Sequence, residues 1–260
     1  MTRWWQHRPE RIDRVNARDT TQEIASKTGR LAETFIFHAD TVARGKELGL
    51  DGFRFYFLGR GGVLGDVEAA VVHSAFGYFS PGLIDKMWTS AKTTLEPRRA
   101  AREYIACAHA HAREHLADLP GLAEYADAAS VVIEAADDSG LNLFAGWKCE
   151  PVPEDAPAAA YHQAVVLREF RGSAHLAAVR AVGLTSMVAH AIKRPNDVAT
   201  FGWPEDARVV TDEDREKHAR AEQITDSIVE AAVSALSAEQ AAALVAGTQA
   251  MFEALIGRSA

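Results

Sequence analysis

Helix start signals recur along this chain, and no stretch sustains an alternation of apolar and polar residues. Thr20-x-x-Glu23 and Ser237-x-x-Gln240 have the spacing of capping boxes, and Thr211-x-x-Asp214 has the same form. Pro97 and Pro120 stand where a helix can begin without losing a backbone hydrogen bond. Strands need a period of two, which is missing. These signals predict a mainly α, multi-helix bundle. Helices are expected over about 20–38, 40–48, 66–79, 83–91, 97–116, 120–140, 158–171, 173–192 and 211–236, with a last one after Ser237. The break near Arg171-Gly172 is inferred from the glycine, which weakens a helix interior.

The proline-rich run CEPVPEDAPA is the best linker, so the chain is read as an N-terminal arm (1–19), a helical half (20–148) and a second helical half (149–260). The arm carries Arg3, Arg8, Arg11, Arg14 and Arg18 with Trp4 and Trp5, a composition suited to docking on another subunit. In FRFYFLGRGGVLGD the glycines match no phosphate-binding pattern, and are expected to permit a bend and close helix packing. Two segments, FLGRGGVLGDVEAAVVHSAF and REFRGSAHLAAVRAVGLTSM, share an Arg-Gly ahead of an alanine- and valine-rich stretch.

Composition narrows the partners. The formal charge is −8, whereas DNA-binding domains gain affinity by neutralising phosphates. Two cysteines, Cys107 and Cys149, cannot form a disulfide framework. No apolar run reaches the length of a membrane span, and the first residues lack a secretory core. A cytoplasmic protein is expected, with a homo- or hetero-oligomeric assembly and no cofactor, metal, membrane or DNA partner.

The stretches GLDGFRFYFLGRGGVLGDVEAAVVHSAFGYFSP and YHQAVVLREFRGSAHLAAVRAVGL resemble an actinobacterial family described as helix-turn-helix, MarR-like. The resemblance covers about residues 31–256. It is most specific at His162, Arg168, Glu169, Arg171, Gly172 and His175, which match a His, then Arg-Glu-x-Arg-Gly-x-x-His. It implies a winged-helix region after Gly202-Trp203. Here only PEDARVV separates that pair from Thr211, so the region is expected to be degenerate. The helix that follows carries seven acids and three bases between Asp212 and Glu230, which would repel a phosphate backbone.

The chief candidate site gathers His162, Glu169 and His175 as proton-handling groups with Arg168 and Arg171 as anion ligands. His162 and Glu169 are seven residues apart and so share a helix face. Arg54, Arg60 and His73 are expected to contribute from the first half. A buried Arg–Glu pair that merely locks two helices is the structural alternative. Cys107, His111 and His115 lie at i, i+4 and i+8. One helix cannot bring all three to one ion, because the outer two stand about 12 Å apart along its axis. Without a ligand from elsewhere they form a solvated face.

Arginines that hold an oxyanion beside a His or Glu base suit cofactor-independent lyase or cyclase chemistry on a small anionic metabolite. An amine displacing sulfate or phosphate within one molecule, as in aziridine closure in secondary metabolism, would fit that equipment. The alternatives are a MarR-like, ligand-sensing regulator and a non-catalytic partner subunit.

Overall fold

A computed structural model describes residues 16–204 and 209–257. Twelve α-helices and no strand occur among the described residues. They are α1 (Ala17–Leu31), α2 (Ala39–Glu47), α3 (Gly52–Gly61), α4 (Ala69–Phe76), α5 (Pro81–Lys92), α6 (Pro97–His115), α7 (Leu122–Ala135), α8 (Asn142–Lys148), α9 (Ala156–Ala181), α10 (Ser186–Lys193), α11 (Asp212–Val233) and α12 (Ala238–Leu255). The mainly α bundle expected from the helix start signals is what forms. The tryptophan-bearing arm, up to residue 15, lies outside the described residues.

Three starts follow directly from local chemistry. Glu96 accepts from the backbone N–H groups of Arg98 and Arg99 and opens α6 at Pro97. Reciprocal capping boxes open α11 (Thr211 with Asp214) and α12 (Ser237 with Gln240). At α1 the expectation shifts by a turn. Asn16 is the cap, accepting from the Asp19 N–H, and Thr20 and Thr21 are buried inside the helix. Thr20-x-x-Glu23 therefore caps nothing, because a better capping residue stands one turn earlier. The expected 66–79 helix is trimmed to α4 between Gly65 and Gly77, both at positive φ.

The largest correction concerns 158–192. No break occurs at Arg171-Gly172: α9 runs unbroken for 26 residues. Ala158 to Leu167 are all buried, so this stretch is surrounded on every side. A glycine costs a helix interior only about 1 kcal/mol, and that burial outweighs it. The chain turns instead after Ala181, through Gly183 at φ +74°, and α10 leaves at 117° to α9.

α9 is the axis of the fold, with α1, α6, α7, α8 and α11 packed around it. α1 also packs on α12, and α12 on α7. One continuous core runs from Ala17 to Met251, so residues on both sides of the proline-rich connection share it. Large buried side chains such as Phe57, Phe144 and Phe170 contribute roughly 1.5–3 kcal/mol each. No single helix among the described residues is long and apolar enough to cross a membrane.

In the glycine-rich segment both expectations, bend and close packing, are met. α3 ends at Gly61 and continues as a 3-10 turn, Gly62–Leu64. A Cβ on Gly62 would lie 2.0 Å from the Pro97 carbonyl oxygen, so α3 and α6 can approach only because that residue has no side chain.

Candidate functional site

A cavity of about 800 Å³ opens where α1, α3, α9, α10 and α11 meet. α9 supplies Arg168, Arg171 and His175 to its lining, spaced so that all three project from one side of the helix. Arg60 reaches it from the end of α3, Lys193 from the end of α10, and Arg30 and Glu33 from α1 and the turn beyond it. The lining is also aromatic: Tyr56 and Phe76 lie against Arg60, and beyond them the rings of Phe79 and Phe201 stack at 4.2 Å.

The deep wall is a charge network. Glu169 is 1% exposed. Its Oε1 accepts from Arg60 Nε at 2.9 Å and Arg168 Nη1 at 2.6 Å, and its Oε2 from Arg60 Nη2 at 2.8 Å. Arg60 also donates to the Tyr56 hydroxyl at 2.9 Å, and Arg168 to Glu33 at 3.2 Å. Burial alone would raise the Glu169 carboxyl, but the two guanidiniums hold it below the ordinary carboxylate range. Arg194 also reaches Glu33 at 3.5 Å, so three arginines meet two carboxylates, Glu169 and Glu33, and leave this wall positive by one charge. Glu169 itself has both oxygens occupied by arginines, which removes it from the role of a free base.

The second wall is looser. Arg171 donates to Glu222 at 2.8 Å and to Asp226 at 3.2 Å on α11. His175 Nδ1 stands 2.9 Å from the Thr225 hydroxyl, which itself donates to the Ala221 carbonyl at 2.8 Å. Thr225 can then only accept from His175, so Nδ1 carries the proton and Nε2 keeps its lone pair. Burial pushes His175 down to about 4 against the pull of Glu222, so it is neutral near pH 7.

Three polar atoms of cavity-lining residues are buried with no partner: the Tyr78 hydroxyl, Arg171 Nε and His190 Nε2. Such atoms are uncommon in a folded chain, and the residues that carry these three all line one cavity. The wall carrying Phe201 is fixed by Gly202-Trp203. The Trp203 indole donates to the Tyr78 carbonyl at 2.7 Å, and Ser80 N–H to the Phe201 carbonyl at 2.8 Å. Gly202 sits at φ +80° with the Ser80 hydroxyl 2.4 Å from where a Cβ would be.

Of the eight residues expected to form one site, Arg60, Arg168, Arg171 and His175 line this cavity, and Glu169 backs it. The other three lie elsewhere. His162 shares a face with Glu169 but stands two turns away, about 10 Å along the axis. There it pairs with His109 at 3.1 Å, and burial pushes both rings down to about 4. Arg54 is tied to Asp51 and, at 2.9 Å, to Ser90. His73 lies on α4 and is not part of the lining. His175 reaches the cavity without the expected helix break, because it follows Arg171 by one turn of a continuous helix. Tyr56 and His190 were missed. Tyr56 stands one turn before Arg60, a spacing that could have revealed it, whereas His190 carries no local signal.

The chain belongs to a helix-turn-helix family, whose model matches residues 21–260. No curated protein and no solved structure matches it.

Proposed function

We propose that this protein binds a small anionic ligand with an apolar, ring-sized body in the cavity between α3, α9 and α11. Its lining carries this reading: Arg60, Arg168 and Arg171 share a cavity of about 800 Å³ with the stacked rings of Phe79 and Phe201. The arginines of the deep wall supply oxyanion recognition, and the stacked phenylalanines face the rest of the molecule. Binding is favoured over turnover. With Glu169 fully committed, His175 is the remaining candidate base among the residues first assigned to proton transfer, and its depressed pKa makes it a weak one. Aziridine-type displacement therefore lacks the strong base it would use.

The regulator alternative survives only in its sensing half. The turn between α9 and α10 has the angle of a helix-turn-helix. Yet α10 is eight residues long, with Ala189, His190 and Ala191 buried and Lys193 its one basic residue apart from the histidine. A recognition helix needs several side chains free to reach base edges. We read α10 as a cavity wall, not as a DNA-reading helix.

The test is thermal melting of wild type and Arg171→Ala against sulfate, phosphate and a panel of aromatic carboxylates and phosphates. A ligand at 100 times its Kd adds ~2.7 kcal/mol. For a chain of this size that is a rise on the order of 5–10 °C. The expected result is a rise that Arg171→Ala loses while keeping its fold. No rise with any anion would overturn the proposal, and retention of duplex DNA with a steep salt dependence would return DNA reading to α10.

A further inference from the structure

Beside Tyr161, two turns before Arg168 on α9, three imidazoles meet. His111 and His115 project from successive turns of α6, and His38 stands immediately before α2. Their ring centroids are 4.5 to 5.6 Å apart. One ring nitrogen of each lies within 4.8 Å of the other two. His38 is the ligand from elsewhere that the helical spacing of His111 and His115 requires. We infer that His38, His111 and His115 bind a divalent transition-metal cation of the zinc type.

Each ring is prepared for that role in a different way. His38 presents Nδ1 to the Asp40 carboxylate at 3.3 Å, the orientation by which a carboxylate fixes a metal-binding imidazole and leaves Nε2 free. His111 uses Nε2 on the Thr34 hydroxyl at 3.2 Å, and Thr34 and Tyr161 are both within hydrogen-bond reach of the Leu31 carbonyl. That leaves His111 Nδ1 buried without a partner, and His115 Nε2 is buried without one as well. Orphaned ring nitrogens on two of the three clustered rings are costly unless something binds them. Metal–nitrogen bonds of 2.0–2.1 Å place tetrahedral ligands roughly 3.3 Å apart, so the rings have to close in by at most roughly 1.5 Å on loading.

The surroundings favour a cation. The adjoining cavity of about 400 Å³ is lined by Asp40, Glu47, Glu103 and Glu114 against one arginine, Arg44. It leaves room for water or a substrate atom in a fourth position, as open three-histidine zinc sites require. Cys107 lines the same cavity, but burial pushes its thiol up to about 11, which keeps it protonated. A second cluster, His175, His218 and Glu222, has comparable spacing. There, however, Glu222 is bonded to Arg171 and faces Lys193 at 3.7 Å, so cations already hold the carboxylate a metal would need.

The test is titration of tag-free, chelator-stripped protein with Co²⁺ and Zn²⁺, read by the visible Co²⁺ spectrum and by calorimetry. One equivalent of Co²⁺ with the intense bands of tetrahedral coordination, displaced by Zn²⁺, is expected. His38→Ala and His115→Ala should each abolish it. Both sit at the half-exposed edge of the cluster, and circular dichroism checks that their fold is kept. Asp40→Asn should weaken binding 10- to 100-fold, as loss of an outer-sphere partner does. His218→Ala should change nothing. Absence of stoichiometric uptake, or uptake lost in His218→Ala and kept in His38→Ala, would overturn the assignment.

Discussion

The two Arg-Gly pairs, Arg60-Gly61 and Arg171-Gly172, look alike in sequence and are opposite in structure. The first ends α3 in a crowded corner. Trp88 and Phe76 stand 3.1 and 3.2 Å from where a Gly61 Cβ would be, and the Pro97 carbonyl blocks one on Gly62. The Arg60 side chain is 12% exposed and clamps the buried Glu169 carboxylate. The second pair lies within a continuous helix. Nothing comes within 4 Å of a Cβ on Gly172, and Arg171 meets acids that are themselves partly open to water. The same dipeptide thus builds a rigid, desolvated post in one place and an adjustable rim in the other. A binding cavity needs both, one to fix charge and one to admit a ligand.

The comparison can be broken most directly through the carboxylates. Glu169→Gln strands two buried guanidiniums and should cost about 3–5 kcal/mol in urea unfolding. Glu222→Gln on the rim should cost about 1 kcal/mol or less. Equal losses would mean that the two arginines are equally buried in solution. The glycines come next. Gly62→Ala should destabilise by about 1–3 kcal/mol or more, because backbone cannot yield to the new methyl. Gly172→Ala should stabilise by about 0.5–1 kcal/mol, since it adds a better helix former in open space. A loss at Gly172 would show that the cavity closes there.

The remaining effect is in acid. His175 has a folded pKa of about 4, below its unfolded value of about 6.5. The unfolded chain therefore takes up a proton that the fold refuses, and stability falls as pH drops from about 6.5 to 4. His109, His111 and His162 contribute to the same window. Glu169 acts lower: its folded pKa is depressed, so its contribution is lost only as pH falls below about 4.5. His175→Gln should flatten the upper part of the curve by on the order of 1 kcal/mol and leave the lower part unchanged. An unchanged upper part would place His175 in water.

Much of the helical outline is legible locally. Glu96-Pro97, Thr211 with Asp214, and Ser237 with Gln240 act over three or four residues, so the sequence carries them. What local reading misses is burial from every side. Gly172 signals a break only if its helix stands alone, and α9 does not. The same holds for the site. Arg168 and Arg171 are legible from helical spacing, His175 falls in line only because α9 continues past Gly172, and Arg60 joins them through packing across 109 residues to Glu169. His38 could not be matched to His111 and His115 for the same reason: nothing in the intervening residues encodes their meeting.

The packing of α1 on α12 has a consequence for how this fold is reached. α1 is complete at Leu31, yet the helix that covers part of its apolar face begins only at Ala238. During synthesis that face has to wait while some two hundred further residues emerge. Contacts this distant in sequence close slowly, and a half-covered helix is what chaperones bind. The early chain is therefore expected to aggregate first: slowing translation should not rescue it, whereas supplying residues 238–255 as a separate peptide should.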